Sequence, residues 1–229
     1  MCPACRHELA TKDLIPLFSW LALRGRCRYC RAPISWQYPT VEASMAAVFI
    51  FSYLLWPDSL SQNGQILLFV TWLVSSVGLM ALLVYDFRWM LLPNRILYPT
   101  LLVALAGRLA YIFLFSHNIT HDLGLLISSI IVASGIFALL FYSSNGKWIG
   151  FGDVRLGLVN GTLLATPAKS LLMLFLASVL GTLFILPSIA LGKAKMTSRI
   201  PYGPFLIIAT AIVILFGQSF ITWYTNHLL

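Results

Sequence analysis

Two aspartates and four cysteines are the residues of this chain best placed to do chemistry. Asp153 closes the string Gly150-Phe151-Gly152-Asp153. Asp86 ends a long apolar stretch and is followed by Leu92-Pro93-Asn94. A carboxylate at membrane depth is expensive and marks function by default. Two carboxylates sharing one site cannot both ionise cheaply, so one keeps its proton while the other carries charge. Such a pair can hydrolyse a peptide bond without a cofactor. The ionised member takes a proton from the attacking water, and the protonated member donates to the carbonyl oxygen. Gly150 and Gly152 are the expected substrate-binding positions, because glycine lets a substrate strand approach the backbone and permits dihedrals other residues resist. Pro93 is expected to break the regular backbone after Asp86. Arg88 and Arg155 offer each aspartate a nearby ion-pair partner, as ordinary interfacial charges at helix ends would have. A polytopic transporter or channel would use Asp86 and Asp153 differently, as proton or ion ligands. That alternative expects acids near the midplane, whereas these two fall at one face.

The cysteines form two knuckles, Cys2-x2-Cys5 and Cys27-x2-Cys30, separated by 21 residues. In a reducing compartment such spacing reads as metal binding before disulfides. Four thiolates suit tetrahedral zinc, and a full thiolate set leaves no open position, so the expected role of the zinc is structural. Arg6, Arg26, Arg28 and Arg31 would offset the negative charge of that site, with His7 a bystander.

The elements that must hold these groups are mostly apolar. Of 229 residues, 59% are hydrophobic and 10% charged, with a mean hydropathy of +0.88, which makes the bilayer the expected solvent. The net charge of +8 is spread through loops and does not point to nucleic acid. Residues 1–40 form a cysteine lobe, and its apolar run Leu14 to Leu23 is too short to cross ~30 Å of hydrocarbon. Residues 41–229 form the membrane domain. Seven apolar segments are expected as helices, at about 41–56, 66–85, 96–115, 122–142, 154–166, 170–191 and 203–223. The fifth is short and contains Gly157 and Gly161. With the lobe in the cytoplasm, thirteen of the fifteen basic residues fall on the inner side, Lys193, Lys195 and Arg199 among them as anchors. The same parity puts Asp86 and Asp153 at the inner face. Arg108 falls within a span and is expected to reach Asp122 or lipid headgroups by snorkelling. Trp56, Trp89, Trp148, Trp223 and Tyr224 read as an interfacial belt.

These motifs, in this order, resemble the type IV prepilin peptidases, the leader peptidase/N-methyltransferases of pilus and type II secretion systems. The resemblance runs from Cys2-Pro3-Ala4-Cys5 through Gly25-Arg26-Cys27, Tyr38-Pro39-Thr40-Val41-Glu42 and Asp86 with Leu92-Pro93-Asn94. It continues through Gly150-Phe151-Gly152-Asp153 to Pro201-Tyr202-Gly203-Pro204. It implies an all-α polytopic protein of the bacterial inner membrane that cleaves the leader of a prepilin or pseudopilin at the cytoplasmic face. It also implies that S-adenosylmethionine then methylates the new N-terminal amine. Glu42 would serve that second site or stand as an acid at the start of a membrane helix. The family usually carries a transmembrane segment before the first cysteine; Met1 alone precedes Cys2 here.

Overall fold

The computed structural model describes residues 1–192 and 201–228. Lys193, Lys195 and Arg199, the expected anchors, lie outside the described residues. The chain divides into two compact units, Met1–Leu54 and Leu55–Leu229. The described residues form no extended sheet; their regular elements are helices, with a short helical turn at Thr11–Asp13 and one isolated bridge, Arg26 to Pro33, and the connections are turns and irregular backbone.

The first unit holds the knuckles, a five-residue helix α1 (Phe18–Ala22) and α2 (Gln37–Leu54). The second holds α3 (Asn63–Trp89), α4 (Asn94–Phe115), α5 (Ile119–Ser143), α6 (Phe151–Leu164), α7 (Pro167–Ala190) and α8 (Gly203–Leu228). All seven expected apolar segments are helices. Five of them, α3, α4, α5, α7 and α8, are long and apolar enough to cross a bilayer. The opening of α2 is polar, with Gln37, Thr40 and Glu42. The 14 residues of α6 span only about 21 Å at 1.5 Å per residue.

Turn chemistry sets the helix ends. Met90 adopts a left-handed conformation and donates its N–H to the Asp86 carbonyl, closing α3. Pro93, with φ −67°, then opens α4. The break expected at Pro93 therefore begins at Met90, and the proline caps the next helix, its carbonyl accepting the Ile96 and Leu97 N–H groups. Ala165 ends α6 in the same left-handed way, and Thr166 caps α7 just before Pro167.

Among lipid-facing helices apolar burial gives little net drive, so close backbone approach through small residues does the packing. Helices α3 and α4 meet reciprocally. A Cβ on Gly78 would sit 2.0 Å from Thr100 Oγ1, and one on Gly107 would sit 2.1 Å from Thr71 Oγ1. Both threonine hydroxyls bond back to their own helix, at Ile96 and Leu67. Helix α6 is the hub, packed against α4, α5, α7 and α8. Gly157 and Gly161, which weaken a helix by propensity, are its contact surface. A Cβ at Gly157 would lie 2.6 Å from the Ala133 carbonyl oxygen, and one at Gly161 would lie 2.8 Å from Ile130 Cα. Buried serines stitch the same seam. Ser129 donates to Gly161 O and pairs with Ser170, and Ser134 donates to Val154 O.

Candidate active site and metal centre

Asp86 lies one turn before the end of α3, buried, where its Oδ2 accepts the backbone N–H of Gly203 at 3.0 Å. Gly203 is the first residue of α8. First-turn N–H groups have no intrahelical acceptor, and the helix dipole adds positive potential there, so a carboxylate is well received. The approach requires glycine: a Cβ at Gly203 would lie 2.5 Å from Oδ2 and 3.2 Å from Cγ of Asp86.

Asp153 is the third residue of α6, half-buried, with its N–H on the Gly150 carbonyl at 3.1 Å. Its carboxyl is within electrostatic reach of Asp86, and the phenol of Tyr202 is within reach of Asp153. The Tyr202 hydroxyl pairs with Ser178 of α7 at 3.0 Å. Because α8 packs on both α3 and α6, its first turn lies where the two aspartate-bearing helices meet it.

The two glycines behave differently from expectation in one respect. Gly150 has φ −75° and ψ 144°, and Gly152 is not in the left-handed region, so neither uses a dihedral reserved for glycine. At Gly152 the space for a side chain is filled from within the protein, since a Cβ there would meet Leu92 Cδ1 at 3.0 Å. Gly152 thus lets the start of α6 close onto the α3–α4 turn, which draws Asp153 toward the helix carrying Asp86. Gly150 is more open, its nearest neighbour being Asp153 Oδ2 at 3.7 Å.

The expected local ion pairs do not form. Arg155 donates to Asn94 Oδ1 and to the Phe151 carbonyl, and lies over the Phe151 ring. Arg88 lies over the Trp89 ring, 5.1 Å from its centroid. Among the described residues neither Asp86 nor Asp153 makes an ion pair with a basic side chain. Sequence reasoning missed Gly203 and Leu92 as parts of this arrangement. The string around Gly203 was visible, but a backbone N–H donor has no side-chain signature.

In the first unit the four sulfurs of Cys2, Cys5, Cys27 and Cys30 lie within 4.8 Å of one another. Cys2 and Cys30 are 3.9 Å apart, close to the ~3.8 Å edge of a tetrahedron with ~2.3 Å metal–sulfur bonds. The knuckles repeat the same backbone. Arg6 donates to Cys2 O with φ 57°, and Arg31 donates to Cys27 O with φ 63°. Cys2 donates to His7 O as Cys27 does to Ala32 O. Backbone N–H groups of Cys5 and Ala4 pull the Cys2 thiol down to about 6, while Cys30, despite the Ala32 N–H, is pushed up to about 11 by burial and its neighbouring thiols, so the crowded set gives up its protons unevenly. These sulfurs fit zinc. His7 stacks on Tyr29 at 3.7 Å and stays out of the set. Asp13 ties the lobe by accepting from Arg28 Nε, Tyr29 and Ala10 N–H. Glu42 accepts the Leu17 N–H at 2.8 Å, a structural role. Beside the knuckles is a pocket of about 500 Å³ lined by Trp20, Arg28, Ile34, Tyr38 and Glu42.

The profile of the bacterial peptidase A24 N-terminal domain matches residues 1–56, and that of the type IV leader peptidase family matches residues 73–186. A protein of Aeromonas hydrophila described as prepilin leader peptidase/N-methyltransferase is 32% identical over 228 residues, which is all of this chain and 75% of that relative. The chain belongs to the type IV leader peptidase family. Relatives of the same description from Stutzerimonas stutzeri and Bacillus subtilis are each 30% identical, over 97% of this chain and 73% and 84% of their own lengths. No solved structure matches the chain. Asp86 and Asp153 both fall inside the family's matched region, and the four cysteines fall inside the N-terminal one.

Proposed function

We propose that this protein is a membrane aspartyl endopeptidase that removes the leader of prepilins or pseudopilins at the cytoplasmic face of the inner membrane. The observation that carries the reading is that Asp86 and Asp153, from two different helices, lie within electrostatic reach of each other, with the N–H of Gly203 holding one Asp86 oxygen. One aspartate carries the charge and accepts a proton from water as that water attacks the scissile carbonyl. The other supplies a proton to the carbonyl oxygen, giving a neutral tetrahedral diol. Collapse of the diol returns a proton to the pair and delivers another to the leaving amine, so the pair ends as it began. The relatives' descriptions name prepilin leaders as the substrate. A prepilin keeps a basic leader outside the hydrocarbon and its apolar segment within it. Such a chain can present its scissile bond near the end of the helices that carry Asp86 and Asp153. The distribution of basic residues supports a cytoplasmic position for that end.

Two finer parts belong to the same reading. Zinc held by Cys2, Cys5, Cys27 and Cys30 would staple the lobe, in which a small hydrophobic core alone gives little stability. Methylation of the new N-terminal amine follows from the relatives' second descriptor. S-adenosylmethionine would supply an electrophilic methyl group, and the 500 Å³ lobe pocket is of small-molecule size.

The test is cleavage of a prepilin by purified protein in detergent, with Asp86→Asn and Asp153→Asn. Each change keeps the shape and removes the ionisable oxygen, and each abolishes cleavage while the helices stay folded. Near wild-type cleavage by either variant refutes the pair as the catalytic machinery.

A further inference from the structure

A second built site lies at the other end of α6. Asp153 is in the first turn of that helix and Leu163 in its last, about 15 Å away along the axis. Beside Leu163 is a cavity of about 210 Å³, walled by α3, α4, α6, α7 and α8. It gathers charge that the proposed cleavage does not use.

Arg108 of α4 lines it. One guanidinium nitrogen donates to the Leu163 carbonyl at 2.7 Å, and the group lies near the Tyr111 ring. A guanidinium has five N–H donors, so this contact leaves most of its capacity unspent. Lys169, in the first turn of α7, lines the same cavity within electrostatic reach of Arg108. Asp58 is the one carboxylate in the lining, within reach of Lys169. Among the described residues neither cation makes an ion pair. Trp56 also lines the cavity, and its indole N–H is buried with no acceptor from the protein. Two cations, an orphan indole donor and the positive end of α7 thus converge against one lining carboxylate, with Asp122 outside the lining but within electrostatic reach of Arg108. Desolvated donors and cations left in this state are costly unless an anion meets them. The rest of the lining is mixed, with Gln65, Thr71, Thr162 and Thr166 beside Leu68, Ala104 and Ile214.

A phosphate ester answers these donors, and between helices long and apolar enough to cross a bilayer the phosphate esters at hand are lipid headgroups. We propose that this cavity is a binding site for the headgroup phosphate of an anionic phospholipid, with Arg108, Lys169 and the Trp56 indole as its donors. Arg108 is suited to the role because its planar fork matches a phosphate edge. Basic pockets between membrane helices hold lipid headgroups by this chemistry. From the sequence Arg108 is expected to reach Asp122 or lipid headgroups, and Asp122 is within its electrostatic reach. The guanidinium turns inward to the end of α6 and bounds a cavity there.

The test uses the full chain in detergent, titrated with phosphatidylglycerol or phosphatidylcholine and read by native mass spectrometry. Wild-type protein retains phosphatidylglycerol in preference to phosphatidylcholine. The double variant Arg108→Gln, Lys169→Gln binds phosphatidylglycerol at least about tenfold more weakly, as loss of charge-assisted donors requires. Asp58→Asn, which removes the repelling carboxylate and empties no donor, binds it more tightly. The two changes act in opposite directions, which a general loss of folding does not produce. Should the double variant fail to fold, Asp58→Asn decides alone. Equal retention of both lipids, unchanged binding in a folded double variant, or weaker binding in Asp58→Asn overturns the proposal. Displacement of the lipid by millimolar inorganic phosphate assigns the site to free phosphate and overturns it as a lipid site.

Discussion

Replacing Gly203 by alanine tests whether the placement of Asp86 matters as the geometry requires. The change keeps the backbone N–H that donates to Asp86 Oδ2, so it removes no hydrogen-bond donor. It adds one methyl group 2.5 Å from that oxygen, where ordinary contact begins at 3.4 Å. Either the carboxylate or the start of α8 must retreat by about 0.9 Å. Retreat of α8 is resisted, because Leu206, Ala209 and Val213 behind Gly203 are fully buried. The carboxylate is the softer partner. A displacement of about 1 Å in a catalytic group lowers turnover roughly a hundredfold, equivalent to about 2.7 kcal/mol of barrier. The assay is cleavage of a prepilin under saturating conditions, with kcat and KM measured separately. The expected result is a fall in kcat with little change in KM, and unaltered zinc content in the same sample. Cleavage by Gly203→Ala within about twofold of wild type would show that this contact does not position a reacting group, and the argument from Asp86 would fall with it.

Other expectations follow from the packing and the metal site. Elemental analysis gives about one zinc per chain, and Cys27→Ser, which opens a buried corner of the thiolate set, loses it. Because zinc holds thiolates, acidification releases the metal; a metal indicator follows this, and release rising with pH would contradict it. Gly25→Ala strains a backbone at φ 67° and places a methyl 2.9 Å from Trp20. It destabilises the lobe by about 1–2 kcal/mol, seen as earlier loss of tryptophan fluorescence on denaturation. Gly157→Val drives side-chain atoms into the α5 backbone and lowers the unfolding midpoint in detergent by an amount equivalent to about 1–3 kcal/mol. An unchanged midpoint would mean that the α5–α6 seam is looser than its contacts imply.

The sequence made some of this legible because the signals are local. Paired Cys-x2-Cys knuckles fold as self-contained turns, and the four sulfurs converge as the spacing expects. Apolar length marks a helix without any knowledge of its neighbours, and the segment expected at 96–115 is observed as Asn94–Phe115. What escaped notice is non-local or lies in the backbone. Gly203 contacts Asp86 across 117 residues through an N–H that every residue but proline possesses. Leu92 filling the space beside Gly152 is a contact between a turn and a helix start, set by tertiary closure. Gly157 and Gly161 counted against a helix by propensity, yet they are the residues that seat it. Arg108 reads as a charge seeking the surface until the carbonyl it meets at the end of α6 is known.

The glycine seam also bears on how the chain is assembled. At 14 residues, with Asp153, Arg155 and Asn160 among them, α6 is a poor candidate for release into lipid by itself. What α5 offers it is two serine hydroxyls, from Ser129 to the Gly161 carbonyl and from Ser134 to the Val154 carbonyl. The close α5–α6 packing leads us to expect that the two enter together as a hairpin, α5 the escort and α6 its passenger. Damage to the seam would surface first as chains mis-threaded at birth and cleared by quality-control proteolysis, before any mature molecule was slowed.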